Sequence, residues 1–144
     1  MKQMVLLGRV LYSSIFIMAG LGHFSPSTIA FATSQGVTFA SVAVPLSGVM
    51  AILGGLSIAL GYKAKYGAWI LALFLLPVTV IMHQFWTIAD PMMATIQQAM
   101  FMKNLAMLGG AFLVAFFGSG PLSLDSVLRT RQSFAMRRKE PVTV

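Results

Sequence analysis

The sequence predicts an all-α membrane protein: a four-helix transmembrane bundle, both termini cytoplasmic, with a short interfacial helix in each of the two outer connections. Three observations carry this. Apolar residues make up 58% of the 144-residue chain and charged residues 9%, against about 25% charged in a soluble domain. The apolar residues gather in four stretches, at residues 5–23, 42–61, 67–86 and 100–118. Nine of the ten Lys and Arg residues fall on one side of the topology those stretches define. Each stretch has 19 or 20 residues, which at helical rise reaches roughly 28–30 Å, the thickness of a bilayer core. Backbone groups in hydrocarbon must be satisfied within their own segment, so the stretches are helices.

The first span holds Arg9 inside its apolar run, no A-x-A site follows, and three more spans come after it. It is therefore expected to be retained rather than cleaved as a signal peptide. Ser25-Pro26 opens a short outer helix, with Ser as N-cap and Pro at the first helical position, and Gly36 stops it. On span two, Ser47, Ala51, Gly55 and Ala59 form a small-residue stripe that lets a neighbouring helix come close. The connection at residues 62–66 is short enough to make spans two and three antiparallel neighbours. Pro77 removes one backbone hydrogen bond from span three and predicts a kink. Asp90-Pro91 opens a second short outer helix, with Met92, Met93 and Ile96 on its apolar face. Ala106, Gly110 and Gly118 make a looser small-residue row on span four. Pro121 closes that span, and Ser123 caps a tail helix with Asp125 in its first turn and Leu124, Val127, Leu128 and Phe134 on one face. The domain reading is a membrane domain at 1–125 and a basic cytoplasmic tail at 126–144. The halves echo each other: His23 and His83 near span ends, then Leu53-Gly54-Gly55 and Leu108-Gly109-Gly110 in the following spans. This fits a parallel repeat about an axis along the membrane normal.

Lys2, Arg9, Lys63, Lys65, Arg129, Arg131, Arg137, Arg138 and Lys139 lie on one side; Lys103 stands alone on the other. That asymmetry puts both termini in the cytoplasm, in the cell's inner (plasma) membrane. The net charge of +7 is then read as contact with anionic lipid headgroups rather than nucleic acid, for which no groove reader or stacking platform is present. Absence of cysteine excludes a disulfide, a thiol nucleophile and a thiolate-held cluster within the chain. One Glu and two Asp leave little acid–base capacity, and no phosphate loop, nucleophile triad or carboxylate pair is present. Eleven methionines and two histidines raise copper(I), but no ligand spacing supports it, so no metal is expected.

Polar side chains within a membrane are costly and mark candidate sites. The outer group is His23, His83, Trp86, Asp90, Lys103 and Asn104. His83 and Trp86, three apart, share a helix face; the imidazole can exchange a proton with a quinone oxygen, and the indole can stack on its ring. Equally, Trp86 can anchor the interface while His83 bonds a neighbouring helix. Lys103 with Asn104 can polarise a carbonyl oxygen, or Lys103 can snorkel to the headgroups or pair with Asp90. His23 can face His83 or sit at the interface without a ligand. Arg9 and Asp125 are expected to form a structural ion pair tying span one to the tail.

These residues resemble the DoxX family of small four-helix membrane proteins over residues 8–125. The carriers are Gly8-Arg9 and Ala19-Gly20, Gly54-Gly55 and Gly61, His83-Gln84-Phe85-Trp86, Lys103-Asn104-Leu105 with Gly109-Gly110, and Gly118-Ser119-Gly120-Pro121-Leu122-Ser123-Leu124-Asp125. The resemblance implies a quinone-associated redox enzyme or subunit, with quinone as cofactor and with room for a redox partner subunit or a homo-oligomer. It carries over His83, Trp86, Lys103 and Asn104, in a pocket opening outward between spans one, three and four. His83 and Lys103 would be catalytic, with His23 added to the cofactor-binding set. Two positions depart: many relatives have Lys at His23 and an acid at Ala51. The other reading is a non-catalytic membrane scaffold or small-molecule carrier.

Overall fold

The computed structural model describes residues 1–137. Expectations for Arg138 and Lys139, and for the side chains of Phe134 and Arg137, lie outside what it describes. The described chain is helical throughout: α1 (Lys2–Gly22), α2 (Pro26–Ser34), α3 (Ala40–Leu60), α4 (Ala64–Met82), α5 (Pro91–Phe117) and α6 (Leu124–Arg137), with a 3₁₀ turn at Phe85–Thr87. Four helices are long and apolar enough to span a bilayer: α1, α3, α4 and α5. Large apolar side chains such as Leu11, Met18, Trp69, Leu73 and Phe116 point outward. In water this would be untenable; in lipid it is the natural solvent face, and packing rather than hydrophobicity must join the helices.

The packing runs in a row, α1 on α3, α3 on α4, α4 on α5. Two reciprocal glycine contacts set the spacing. A Cβ on Gly20 of α1 would sit 2.8 Å from the Gly48 carbonyl oxygen of α3, and one on Gly48 would sit 2.8 Å from the Gly20 oxygen. Gly54 of α3 and Gly67 of α4 repeat the arrangement, each Cβ falling 2.9 Å from the other's oxygen. The expected stripe on span two is thus half right: Ala51 and Gly55 do face α1, but Gly48 makes the closest approach there. Around these contacts Phe16, Ala51, Ile58, Ala64, Ala68, Leu71, Phe74 and Leu75 form the core. Between α1 and α5, Tyr12 is the bridge. Its hydroxyl donates to the Met107 carbonyl at 2.6 Å, and its ring fills the space beside Gly110.

Three expectations are corrected. Span three runs to Thr87 but is not one helix to Trp86: α4 ends at Met82, and His83 (φ −127°, ψ 50°) leaves the helix. The side-chain bond made at this exit reaches Gln97 of α5, far along the chain, and no local Gly or Pro marks it. The Asp90-Pro91 start does not open a separate helix. Asp90 caps as expected, its carboxylate accepting from the Met92 N–H at 3.0 Å, but α5 then runs unbroken for 27 residues. Nothing between Met92 and Leu108 is Gly or Pro, so nothing stops it. Arg9 does not pair with Asp125. Its guanidinium donates to the carbonyls of Ser119 (2.7 Å) and Leu122 (2.6 Å). Asp125 instead accepts from the Lys63 N–H with both oxygens, at 3.1 Å each.

The tail is still fastened to the bundle, by different bonds. Ser123 and Ser126 cap α6 reciprocally, each hydroxyl accepting from the other's N–H at 3.2 Å. The Asp125 N–H donates to the Gly61 carbonyl. Gly61 has φ +65°, and a Cβ there would collide with the Arg9 guanidinium and with Ser123. Leu122 holds a left-handed conformation (φ 52°) that Arg9 secures through its carbonyl. The boundary expected after Asp125 falls inside α6. Of the two-half echo, the histidines correspond in place, each just past a helix end. The glycines correspond in part: Gly55 and Gly110 both lie against α1, but Gly54 is packed on α4 whereas nothing lies near Gly109.

Candidate functional site

The helix order places α1, α4 and the start of α3 and α5 at the end of the bundle opposite the chain termini. There, α2 folds across the mouth between α3 and α4. Ala32 of α2 packs with Ala40 and Val44 of α3, beside Ile29, Val37 and Met82. Beneath α2 lies a cavity of about 360 Å³ lined by His23, Thr28, Phe31, Val44, Ser47, Pro77, Val78, Ile81 and His83, among others. Its size is that of a small-molecule site, and its lining is mostly apolar with a few polar groups.

Those polar groups are already oriented. The Thr28 hydroxyl donates to the Gly22 carbonyl at 2.9 Å. The Ser47 hydroxyl donates to the Val44 carbonyl at 2.7 Å. Its single proton is then used, so at 2.8 Å from His23 Nδ1 it accepts, and Nδ1 carries the hydrogen. His83 Nδ1 lies 2.7 Å from Gln97 Oε1, a carbonyl oxygen, so it donates too. In the neutral ring, fixing Nδ1–H leaves Nε2 as an acceptor. The cavity is thus lined by two imidazoles whose Nδ1 atoms are engaged by protein partners, an arrangement that fits Nδ1–H on each ring and an acceptor at Nε2. A ligand hydroxyl can bond them directly; a ligand carbonyl can do so only when a ring is protonated.

Of the residues singled out in the sequence, His23 and His83 come together here. The other four, Trp86, Asp90, Lys103 and Asn104, are not among the residues lining this cavity. Trp86 lies on the 3₁₀ turn, 56% exposed, in a cluster with Phe85 and Phe101 at ring-centroid distances of 5.1–5.8 Å. That is the geometry of an interfacial anchor docked on α5. Lys103 is exposed on α5. Asn104 is buried, 4% exposed, on the helix that packs against α4. This cavity lies between the end of α1, α2, α3 and α4, whereas the expected pocket was between spans one, three and four. Ser47 and Gln97 were missed as orienting partners. Ser47 had been read only as a small packing residue, and Gln97 stands 14 positions from its histidine.

Four bilayer-length helices with an apolar, histidine-bearing cavity at one end define a multi-pass membrane protein with a small-molecule-sized cavity. The chain belongs to the DoxX family, whose sequence model matches residues 4–84. It is similar to two Escherichia coli (strain K12) proteins. With inner membrane protein YqjF it is 30% identical over 129 residues, covering 88% of this chain and 93% of the relative. With inner membrane protein YphA it is 26% identical over 124 residues, covering 85% and 88%. A shorter similarity, 31% over 77 residues, links it to the ER-derived vesicles protein ERV29 of Saccharomyces cerevisiae, covering 54% of this chain and 24% of that one. No solved structure matches.

Proposed function

We propose that this chain holds a quinone-class ring molecule in the cavity beneath α2, and holds it best in the hydroxyl-bearing, reduced form. The carrying observation is that His23 and His83 line one mostly apolar cavity of about 360 Å³, each with its Nδ1 engaged by a protein partner, which supports two acceptors at Nε2. A quinone brings reversible two-electron, two-proton chemistry when bound. The chain's own part is to seat the ring among Phe31, Val44, Val78 and Ile81 and to accept hydroxyl hydrogens at the two Nε2 atoms. A ring protonated in this way can return the hydrogen to a carbonyl oxygen. Electrons enter from a donor or a partner subunit.

The non-catalytic alternative, a carrier or scaffold, gains weight from one observation. Lys103 and Asn104, the groups expected to polarise a quinone oxygen, are not among the residues lining the cavity. On either reading the chain sits in the inner membrane with its termini cytoplasmic. The support is that Lys2, Arg9, Lys63, Lys65, Arg129 and Arg131 all lie towards the terminal end.

The test is extraction of the purified protein and mass spectrometry of bound lipids, followed by loading with quinol and with quinone. Quinol is expected to be retained better than quinone. Each of His23→Ala and His83→Ala is expected to weaken it about tenfold, the effect of one hydrogen bond in an apolar site, while Lys103→Ala leaves it unchanged. No retention of either form at any loading, or retention untouched by both histidine changes, would sink the reading.

A further inference from the structure

At the terminal end of the bundle, remote from the histidine cavity, a second hollow of about 460 Å³ is lined by Lys63, Ala64, Lys65, Tyr66, Phe117, Gly118, Ser119, Gly120, Asp125 and Arg129. We infer that this hollow is a binding site for the phosphate-bearing headgroup of an anionic phospholipid. Three cations from three places in the chain line it: Lys63 at the α3–α4 turn, Lys65 in the first turn of α4, and Arg129 on α6. One carboxylate, Asp125, is also present, and both its oxygens already accept from the Lys63 N–H. The balance of charge favours an anion.

The fold holds this hollow open. Its far wall is the α5–α6 connection, fixed by Arg9 through the Ser119 and Leu122 carbonyls. Lys65 lies along that wall: a Cβ on Gly118 would stand 3.2 Å from Lys65 Cε. Glycine there leaves the lysine stem a channel to follow. The same hollow has an apolar rim. Tyr66 and Phe117, 71% and 74% exposed, stand at the ends of two spanning helices where acyl chains begin. A free phosphate ion would have no use for that rim; a phospholipid uses both parts. Basic pockets at the ends of membrane helices suit such headgroups, each Lys or Arg near the surface strengthening binding about fivefold.

Native mass spectrometry of the full-length protein in detergent, titrated separately with phosphatidylglycerol and phosphatidylcholine, tests the site. Phosphatidylglycerol is expected to bind preferentially, and the double variant Lys65→Gln/Arg129→Gln to weaken it about twenty-five-fold. Arg129→Gln alone, an exposed change that leaves the spanning helices intact, should weaken it about fivefold. The charge-matched control Lys2→Gln/Lys103→Gln should retain wild-type binding. Equal weakening in that control would mean diffuse attraction and overturn the proposal. So would loss of preference over phosphatidylcholine, or full displacement of the lipid by millimolar inorganic phosphate, which would mark the hollow as a site for the free ion. Quinol retention is read on the same samples, so failure here is distinguishable from failure of the histidine cavity.

Discussion

Gly61→Ala isolates what Arg9 contributes to the bundle. Two terms add. The first is backbone: φ at Gly61 is +65°, and an L-residue in that region costs about 1–2 kcal/mol. The second is Arg9, whose guanidinium lies where the new Cβ must go. Moving it breaks at least one of its two carbonyl bonds. A hydrogen bond from a charged donor contributes about 1.5–3 kcal/mol, and Arg9 is only 5% exposed, so water does not replace the lost partner. The sum is a loss of about 2.5–5 kcal/mol, to which the contact of the new Cβ with Ser123 adds. Two other glycines separate the terms. Gly36 shares the positive φ (+81°) but has nothing within 4 Å, so Gly36→Ala should lose only about 1–2 kcal/mol. Gly8 is helical and equally open, so Gly8→Ala should be neutral or stabilise by up to about 1 kcal/mol. The assay is SDS-induced unfolding in mixed micelles, followed by the fluorescence of Trp69 and Trp86. In an Arg9→Met background the Gly61→Ala cost should fall by the Arg9 share, about 1.5–3 kcal/mol, and stay above the Gly36→Ala value because the contact with Ser123 remains. If Gly61→Ala costs no more than Gly36→Ala in the wild-type chain, the Arg9 seat contributes nothing and the reasoning is refuted.

Tyr12→Phe removes the bridge to the Met107 carbonyl and should cost about 0.6–2 kcal/mol in the same assay; no change would mean that the seam between α1 and α5 is held by shape alone. Gly20→Val drives a branched side chain into the Gly48 carbonyl and should destabilise by more than about 3 kcal/mol, whereas Gly109→Val, in open space, should not. Gln97→Leu takes the acceptor from His83 Nδ1, frees the tautomer and should weaken quinol retention without lowering unfolding stability by more than about 1 kcal/mol; a variant that unfolds readily but binds normally would contradict this. Single cysteines at Gln98 and Thr130 test orientation: an impermeant thiol reagent on intact cells should label the first and spare the second.

The spans were legible because lipid selects for an unbroken property, apolarity over a fixed length, and one-sided charge gave their relative direction. The caps at Asp90 and Ser123 were legible because each acts within three residues. Illegible features depended on distant partners. The side-chain bond at the end of α4, from His83, reaches Gln97 on another helix, so the apolar run to Trp86 read as continuous helix. The Arg9 partners are backbone carbonyls, which carry no residue identity for a sequence to display. Opposite charges at Arg9 and Asp125 drew the eye to each other although both were fastening the same knot. In the site, chemistry-bearing residue types drew Lys103 and Trp86 into the candidate set. The orienting groups, Ser47 and Gln97, are ordinary residues whose role exists only once α1 meets α3 and the chain past α4 meets α5.

The short helix α2 rests chiefly on α3, through small contacts at Ala32, Ala40 and Val44; it ends at Ser34, two residues before Gly36, where an added Cβ would meet nothing. None of the reciprocal glycine contacts or the Arg9 knot passes through it. A shift of α2 would therefore widen the cavity, which is already partly open, while the glycine contacts and the Arg9 bonds of the spans stay in place. On the proposed binding reading, ligand exchange and unfolding then draw on different parts of the chain. Substitutions at Phe31 or Ala32 should change residence times while leaving the denaturation midpoint almost where it was, so a stability screen would pass over the residues that set the protein's kinetics.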